Sequence, residues 1–193
     1  MRVDSTFTLK PGDIAPDFTL PDAEGTLVSL DEARGPHGLL VVFACNHCPF
    51  VIHLADALSE LSSRAFACGI GTVVINSNDL DAYPQDGPEF MKTFAREHSW
   101  DFPYLIDATQ EVAKQYGAAC TPDFFLFDSR LALHYAGQFD SSRPKNGSVA
   151  DGSDLQAAID GMLEGTPPPA KVYPSSGCNI KWKPGQAPAW FPG

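Results

Sequence analysis

One stretch limits what this chain can become: Leu39 to Phe50, LLVVFACNHCPF. Leu39-Leu40-Val41-Val42-Phe43 reads as a buried central strand, because a short, branched apolar run suits a sheet covered on both faces. The strand runs straight into Cys45-Asn46-His47-Cys48. Pro49 then suits the first turn of a helix, having no N–H to lose and a φ already set. A helix beginning at about Asn46 puts residues three apart one above the other, which brings Cys45 and Cys48 within disulfide reach. The unsatisfied N–H groups of its first turn face Cys45 and lower that thiol's pKa from about 8.5. The pattern predicts a redox dithiol.

The segments around this stretch predict the rest of a mixed sheet. Asp13 to Leu30 reads as two short strands joined by a turn at Asp22-Ala23-Glu24-Gly25. Val51, Leu54, Leu58, Leu61 and Ala65 recur at helical spacing, and Gly69 closes that helix. Thr72 to Asn76 is a second core strand, so strand, crossover helix and strand form a right-handed unit with parallel neighbours. A helix over 89–98 and an edge strand over 102–106, which Pro103 keeps at the edge, come next. Thr109 is placed to cap a helix from Gln110 to Tyr116, and Phe124–Phe127 with Leu131–Tyr135 forms a hairpin. Asp154 to Leu163 is the last helix. Residues 1–164 therefore read as one α/β domain with helices on both faces of its sheet. Residues 165–193 are Pro-rich, and Cys178, Trp182, Trp190 and Phe191 make them too apolar for a solvated linker. They read as an extended tail packed on the domain.

A net charge of −11 on 193 residues excludes nucleic acid and anionic membrane surfaces as partners, since both demand a basic face. No window approaches the roughly 18 apolar residues of a membrane span. MRVDSTFTLKPGD lacks the apolar core of a signal peptide, which points to the cytoplasm. Five cysteines in a reducing compartment are not expected to form a structural disulfide framework, and their odd number leaves at least one unpaired within the monomer.

Three motifs together resemble the thioredoxin fold in its peroxiredoxin-like branch, the alkyl hydroperoxide reductase/thiol-specific antioxidant family. GDIAPDFTLPDAEG at 12–25 is similar to that family's opening hairpin. CNHC at 45–48 takes the place of the thioredoxin active site, and Thr121-Pro122 matches the loop whose proline is cis in thioredoxins. CNHCPFV, ACTPDFFLFD and SGCNIKWKPG resemble a bacterial subgroup with CNHC. The resemblance implies a thioredoxin-like fold over about 9–164, and thiol–disulfide exchange without a bound cofactor or metal.

On that reading Cys45 attacks a substrate disulfide and Cys48 resolves the mixed disulfide. Asn46 and His47 tune the pair. Histidine before the second cysteine is found in strongly oxidising relatives such as DsbA, which implies a potential less negative than thioredoxin's roughly −270 mV. Thr121 and Pro122 form the facing wall. Cys120 and Cys178 are candidate further redox thiols, able to pair if the tail folds over the site, or else small buried hydrophobes. Cys68 reads as packing, and His53 and His134 as structural residues, although with the dithiol they also allow a copper site.

Two departures matter. Peroxiredoxins carry PxxxTxxC, whereas Val42 and Gly38 stand where the threonine and proline belong. Thioredoxins carry a buried aspartate where Leu39 stands, leaving Asp123 as a candidate base. The expected partners are protein or small-molecule disulfides, with peroxides as the alternative substrate, and a thiol reductant. A metal-binding or redox-sensing protein is the further alternative.

Overall fold

The computed structural model describes residues 1–191. The chain begins with β1 (Arg2–Asp4), β2 (Thr19–Pro21), β3 (Leu27–Ser29), α1 (Leu30–Ala33), β4 (Gly38–Phe43) and α2 (Pro49–Ala67). There follow β5 (Ile70–Asn76), a 3-10 turn at Pro84–Asp86, α3 (Pro88–Glu97), β6 (Tyr104–Ile106) and α4 (Glu111–Tyr116). The last part holds β7 (Cys120–Thr121), β8 (Asp123–Asp128), β9 (Leu133–Gly137), α5 (Ser153–Leu163) and β10 (Ser176–Asn179).

β4 is the centre of a mixed sheet in the order β6-β5-β4-β8-β9. It pairs antiparallel with β8 from Gly38↔Asp128 to Phe43↔Asp123, and β8 pairs antiparallel with β9. On its other side His37 N–H donates to Gly69 C=O and Ala44 N–H to Ile75 C=O, so β4 and β5 advance together as parallel neighbours. β6 lies parallel on β5 at the edge, where Pro103 lends its carbonyl to Val74 N–H and is asked for no donor.

Alternation along β4 divides the core. Leu40, Val42 and Ala44 pack with Leu54, Leu58 and Leu61 of α2 and with Leu155 and Ile159 of α5. Leu39, Val41 and Phe43 pack with Tyr116 of α4, Phe125, Phe127 and the β2–β3 hairpin. Leu39 through Phe43 have no exposed surface at all, and each such side chain contributes roughly 1.5–3 kcal/mol on burial. A strand sealed on both faces delivers Cys45 to a fixed position at its C-terminal end.

Two helix starts differ from the expectation. α2 begins at Pro49 rather than Asn46, with Cys48 as its N-cap in an extended conformation (φ −72°, ψ 119°). The ring of Pro49 steers the preceding residue out of the helical region, and residues 46–47 form a turn instead. α4 begins one residue later, after Gln110 in the left-handed region; Thr109 Oγ1 accepts from Glu111 N–H as expected, at 3.4 Å, and Asp107 Oδ2 adds a bond from Ala113 N–H.

The tail returns to the fold as a strand. β10 lies between β1 and β7, antiparallel to both, with Cys178 opposite Arg2 on one side and Thr121 on the other. Gly177 is required there, because a Cβ at this position would collide with the Thr121 carbonyl oxygen. Among the described residues no helix is long and apolar enough to cross a membrane.

Candidate active site

The end of β4, the start of α2, β7 and β10 meet in one place. The Thr121–Pro122 peptide is cis, and the Thr121 backbone faces the two cysteines. Cys48 S–H donates to Thr121 C=O at 3.1 Å, and Cys45 Sγ lies 3.6 Å from Thr121 Oγ1. Cys178 projects from the β10 position opposite Thr121 and packs against the core cluster that contains Cys45 and Cys48. Cys178 and Cys45 both bear on the ionisation of Cys48, which makes it the common neighbour of three free thiols.

A polar cluster adjoins Cys45. Asp86, with no exposed surface, accepts from Asn46 N–H at 3.1 Å and from Asn78 Nδ2 at 2.8 Å. His47 Nδ1 stands 2.7 Å from Asp86 Oδ2. That distance suits an ion pair, but the ring nitrogen is not aligned on the oxygen and makes no hydrogen bond. The His47 ring stacks parallel to Tyr83 at 5.9 Å, and Tyr104 O–H donates to Asn46 Oδ1 at 2.8 Å. Ligating atoms of Cys45, His47 and Asp86 lie within 4.8 Å of one another.

These neighbours divide the protons unequally. The Cys45 thiol is pushed well up, first by its hydrogen bond to Cys48, then by burial and by the negative charge of Asp86. Cys48 is pulled down to about 2, with the Cys178 thiol as the largest cause and the Cys45 thiol next. The bond from Cys48 to the Thr121 carbonyl exists only in the protonated form, since a thiolate has nothing to donate. The neighbouring Cys178 and Cys45 thiols outweigh that one bond, so Cys48 ionises before Cys45. This order is the reverse of the sequence expectation: α2 starts three residues later than expected, its Val51 and Ile52 N–H groups donate to the Cys48 carbonyl, and the neighbouring thiols set the ionisation of the pair instead.

Cys120 is absent from this cluster. It pairs with Asn179, one position along from Cys178, so its side chain leaves the opposite face and packs with Val3 and Ala119. Its sulfur donates to Pro122 C=O, and burial pushes its pKa well up. A Cys120–Cys178 disulfide is not available to this backbone. Cys68 is exposed at the C-terminus of α2, which corrects its reading as a packing residue. His53 bonds Ser142 Oγ at 2.9 Å and lines a depression with Phe50, Pro122 and Phe139. His134 is buried in β9, where desolvation lowers its pKa. Neither histidine reaches the thiols.

Asp123, the candidate base, is also elsewhere. It lies on the Phe125–Phe127 side of β8, bonded by Ser5 Oγ at 2.7 Å and by Ala119 N–H at 3.3 Å. Burial raises its pKa from 3.8 to about 6. A carboxyl held protonated to higher pH in the fold than in the unfolded chain contributes stability below pH 4 that is lost as pH rises through 6. By neutral pH the loss is about 3 kcal/mol. Asp123→Asn, compared with the parent protein by urea unfolding, should gain that amount in relative stability between pH 4 and 7.5. A constant difference across this range would refute the assignment.

Asp86, Asn78 and Tyr104 were not visible as site residues in the sequence. The one signal was the polar run Asn76-Ser77-Asn78-Asp79 at the C-terminal end of a core strand, where open α/β sheets place ligands.

Residues 11–136 match the AhpC/TSA family. The crystal structure of an uncharacterized conserved protein from Geobacillus kaustophilus is 47% identical and superposes with a TM-score of 0.91, covering 95% of this chain and 97% of that one. The Mycobacterium tuberculosis protein Rv2521, named as a candidate peroxiredoxin, is 33% identical over 113 residues, 58% of this chain and 67% of its own. Thiol-disulfide oxidoreductase ResA of Bacillus thuringiensis is 26% identical over 117 residues, 61% of this chain and 63% of its own. With a thioredoxin-like sheet, a strand that ends in two thiols and a family match across β2 to β9, the chain belongs to the AhpC/TSA family.

Proposed function

We propose that this protein is a thiol–disulfide oxidoreductase whose working pair is Cys45 and Cys48. The observation that carries the reading is the position of Cys48, packed with Cys45 at the N-terminus of α2 and donating to the Thr121 carbonyl. Cys45 adjoins half-exposed His47 and is the sulfur that meets substrate; Cys48, wedged behind it, resolves. As thiolate, Cys45 attacks R–S–S–R′, forms Cys45–S–S–R and expels R′–S⁻. Cys48, ionised already, then attacks Cys45 Sγ, which closes the Cys45–Cys48 disulfide and expels R–S⁻. The Asp86 carboxylate lies within 4.8 Å of Cys45 Sγ, where its charge opposes ionisation of the thiol. Thr121 and Pro122 form the wall behind the two sulfurs, its strand edge already taken by β10. The partners in this reading are protein or small-molecule disulfides and a thiol reductant, in the cytoplasm, with no cofactor.

Reduction of insulin disulfides with dithiothreitol as the donor tests it. Turnover that depends on Cys45 is expected; turnover unaffected by Cys45→Ser would sink the reading.

A specific contact favours peroxide as a second substrate class. Buried Val42 offers no hydroxyl, but Thr121 Oγ1 at 3.6 Å from Cys45 Sγ supplies one from across the site, and relatives in the family carry the peroxiredoxin name. Rapid single-turnover oxidation of Cys45 by hydrogen peroxide, faster than by a disulfide, would select that reading.

His47 bears on both. Its ring stands 2.7 Å from the Asp86 carboxylate and shields that charge from Cys45, so His47→Ala should raise the Cys45 pKa further. Iodoacetamide labelling of Cys45 at pH 7 is expected to slow by about tenfold, which corresponds to one pKa unit. An unchanged rate would show that the imidazole does not act on the thiol.

A further inference from the structure

We propose that Cys178 is the third member of a thiol relay, taking the disulfide from Cys45–Cys48 to Cys48–Cys178. The proposal rests on the dithiol reading above and extends it to the route by which the protein is reduced. Exchange at a disulfide requires the attacking sulfur, the attacked sulfur and the leaving sulfur to be neighbours, with the attacked one in the middle. Cys48 occupies that middle position: Thr121 touches both Cys48 and Cys45, Cys178 sits opposite Thr121 in the β10 ladder, and Cys178 packs on the core cluster that holds the other two sulfurs.

The fold builds this contact deliberately. Cys178 is held by the β10 register opposite Thr121, the residue whose carbonyl and hydroxyl touch Cys48 and Cys45. The close approach of β10 to Thr121 depends on Gly177, directly before the cysteine. β10 itself is secured on both edges, by β1 and by β7, so Cys178 is a ladder residue rather than one on a loose tail.

The step balances without an outside reagent. Cys178 Sγ attacks Cys48 Sγ, the Cys48–Cys178 bond forms, and the Cys45–Cys48 bond breaks. Cys45 leaves as thiolate and takes up the proton that Cys178 gave up. Nothing is oxidised or reduced overall; the disulfide moves by one sulfur. The Cys48 charge keeps Cys178 protonated in the dithiol, and that hold ends once Cys48 is in a disulfide, while the Lys181 ammonium still favours the Cys178 thiolate. Cys45 and Cys48 are buried, whereas Cys178 is partly exposed. The transfer therefore returns Cys45 to the thiol that substrate needs and presents the disulfide where a reductant can reach it. An external thiol, RSH, attacks Cys178 Sγ, a second RSH releases it, and RSSR leaves with the oxidising equivalents.

The test uses the full chain treated with excess oxidised glutathione, quenched in acid, alkylated and mapped by mass spectrometry without reduction. The expected map contains both the Cys45–Cys48 and the Cys48–Cys178 cross-links. In Cys45→Ser the relay predicts that the four remaining thiols fall to two, with Cys48–Cys178 as the cross-link. A parent protein that forms Cys45–Cys48 and at no time Cys48–Cys178 overturns the relay and leaves the dithiol function standing; so does a Cys45→Ser protein that keeps all four thiols. A parent protein that forms neither cross-link overturns both.

Discussion

Cys48→Ser protein mixed with an excess of a disulfide substrate should stop with that substrate covalently attached to Cys45. Serine is close to cysteine in size, so the packing around Leu40 and Val51 changes little, but an alcohol cannot attack a disulfide. The first step still occurs and the second does not. Steady-state turnover is expected to fall to the uncatalysed level while a mixed disulfide accumulates, visible as a mass increase that dithiothreitol reverses. Cys45→Ser should also lose turnover but trap nothing at position 45. Two results would defeat the assignment: attachment through another cysteine, or a Cys48→Ser protein that still turns over. The ionisation order adds a rate expectation. Because Cys48 is the sulfur surrounded by donors, resolution in the parent protein should outrun the first attack, and no mixed disulfide should build up.

Asp86→Ala should be the most destabilising change in the site. The carboxylate is fully buried and receives the Asn46 amide and the Asn78 side chain, with the His47 ring 2.7 Å away. Alanine leaves these donors facing a void, and removing one partner from a buried charged network costs on the order of 3–5 kcal/mol. Asp86→Asn keeps an acceptor and should recover about half of that loss, on the same accounting for a neutral hydrogen bond. Urea unfolding measures both, and an alanine variant within 1 kcal/mol of the parent, roughly the scatter of surface substitutions, would remove Asp86 from its role as the brace of the 46–48 turn. The asparagine variant carries a second expectation. Without the negative charge Cys45 ionises more easily, so its alkylation at pH 7 should speed up, the opposite direction from His47→Ala.

The scaffold of this site was readable from local patterns, and its decisive contacts were not. Leu39 to Phe43 announced a strand sealed on both faces, and the spacing of Val51, Leu54, Leu58 and Leu61 announced α2, because burial imposes those periods directly on the sequence. The β2–β3 and β8–β9 hairpins followed from their turns. Pro49 even carried the true start of α2, through its restriction on Cys48, yet spacing alone favoured a start at Asn46. That shift of three residues moves the helix N-terminus from one thiol to the other. Asp86 was hidden for a different reason. It sits in a polar loop like any solvent-facing acid, and only the packing of α3 and β5 turns it inward. Cys178 was legible as a cysteine in an apolar tail, but its partner depended on the register between two strands over fifty residues apart. A shift of one residue there would have presented Asn179 to Cys48 instead.

Gly177 and the register it permits also set when the site exists. Cys45 and Cys48 leave the ribosome early, along with the strand and helix that hold them. Thr121 follows some seventy residues later, and the strand that closes the far side some fifty residues after that. A partly made chain therefore carries two reactive thiols with no facing wall and no third sulfur between them and a reductant. The arrangement couples redox competence to contacts of the longest range in the molecule, those joining β10 to β1. The pattern of disulfides a cell population carries would then report how much of this protein has finished folding as well as how oxidised its surroundings are.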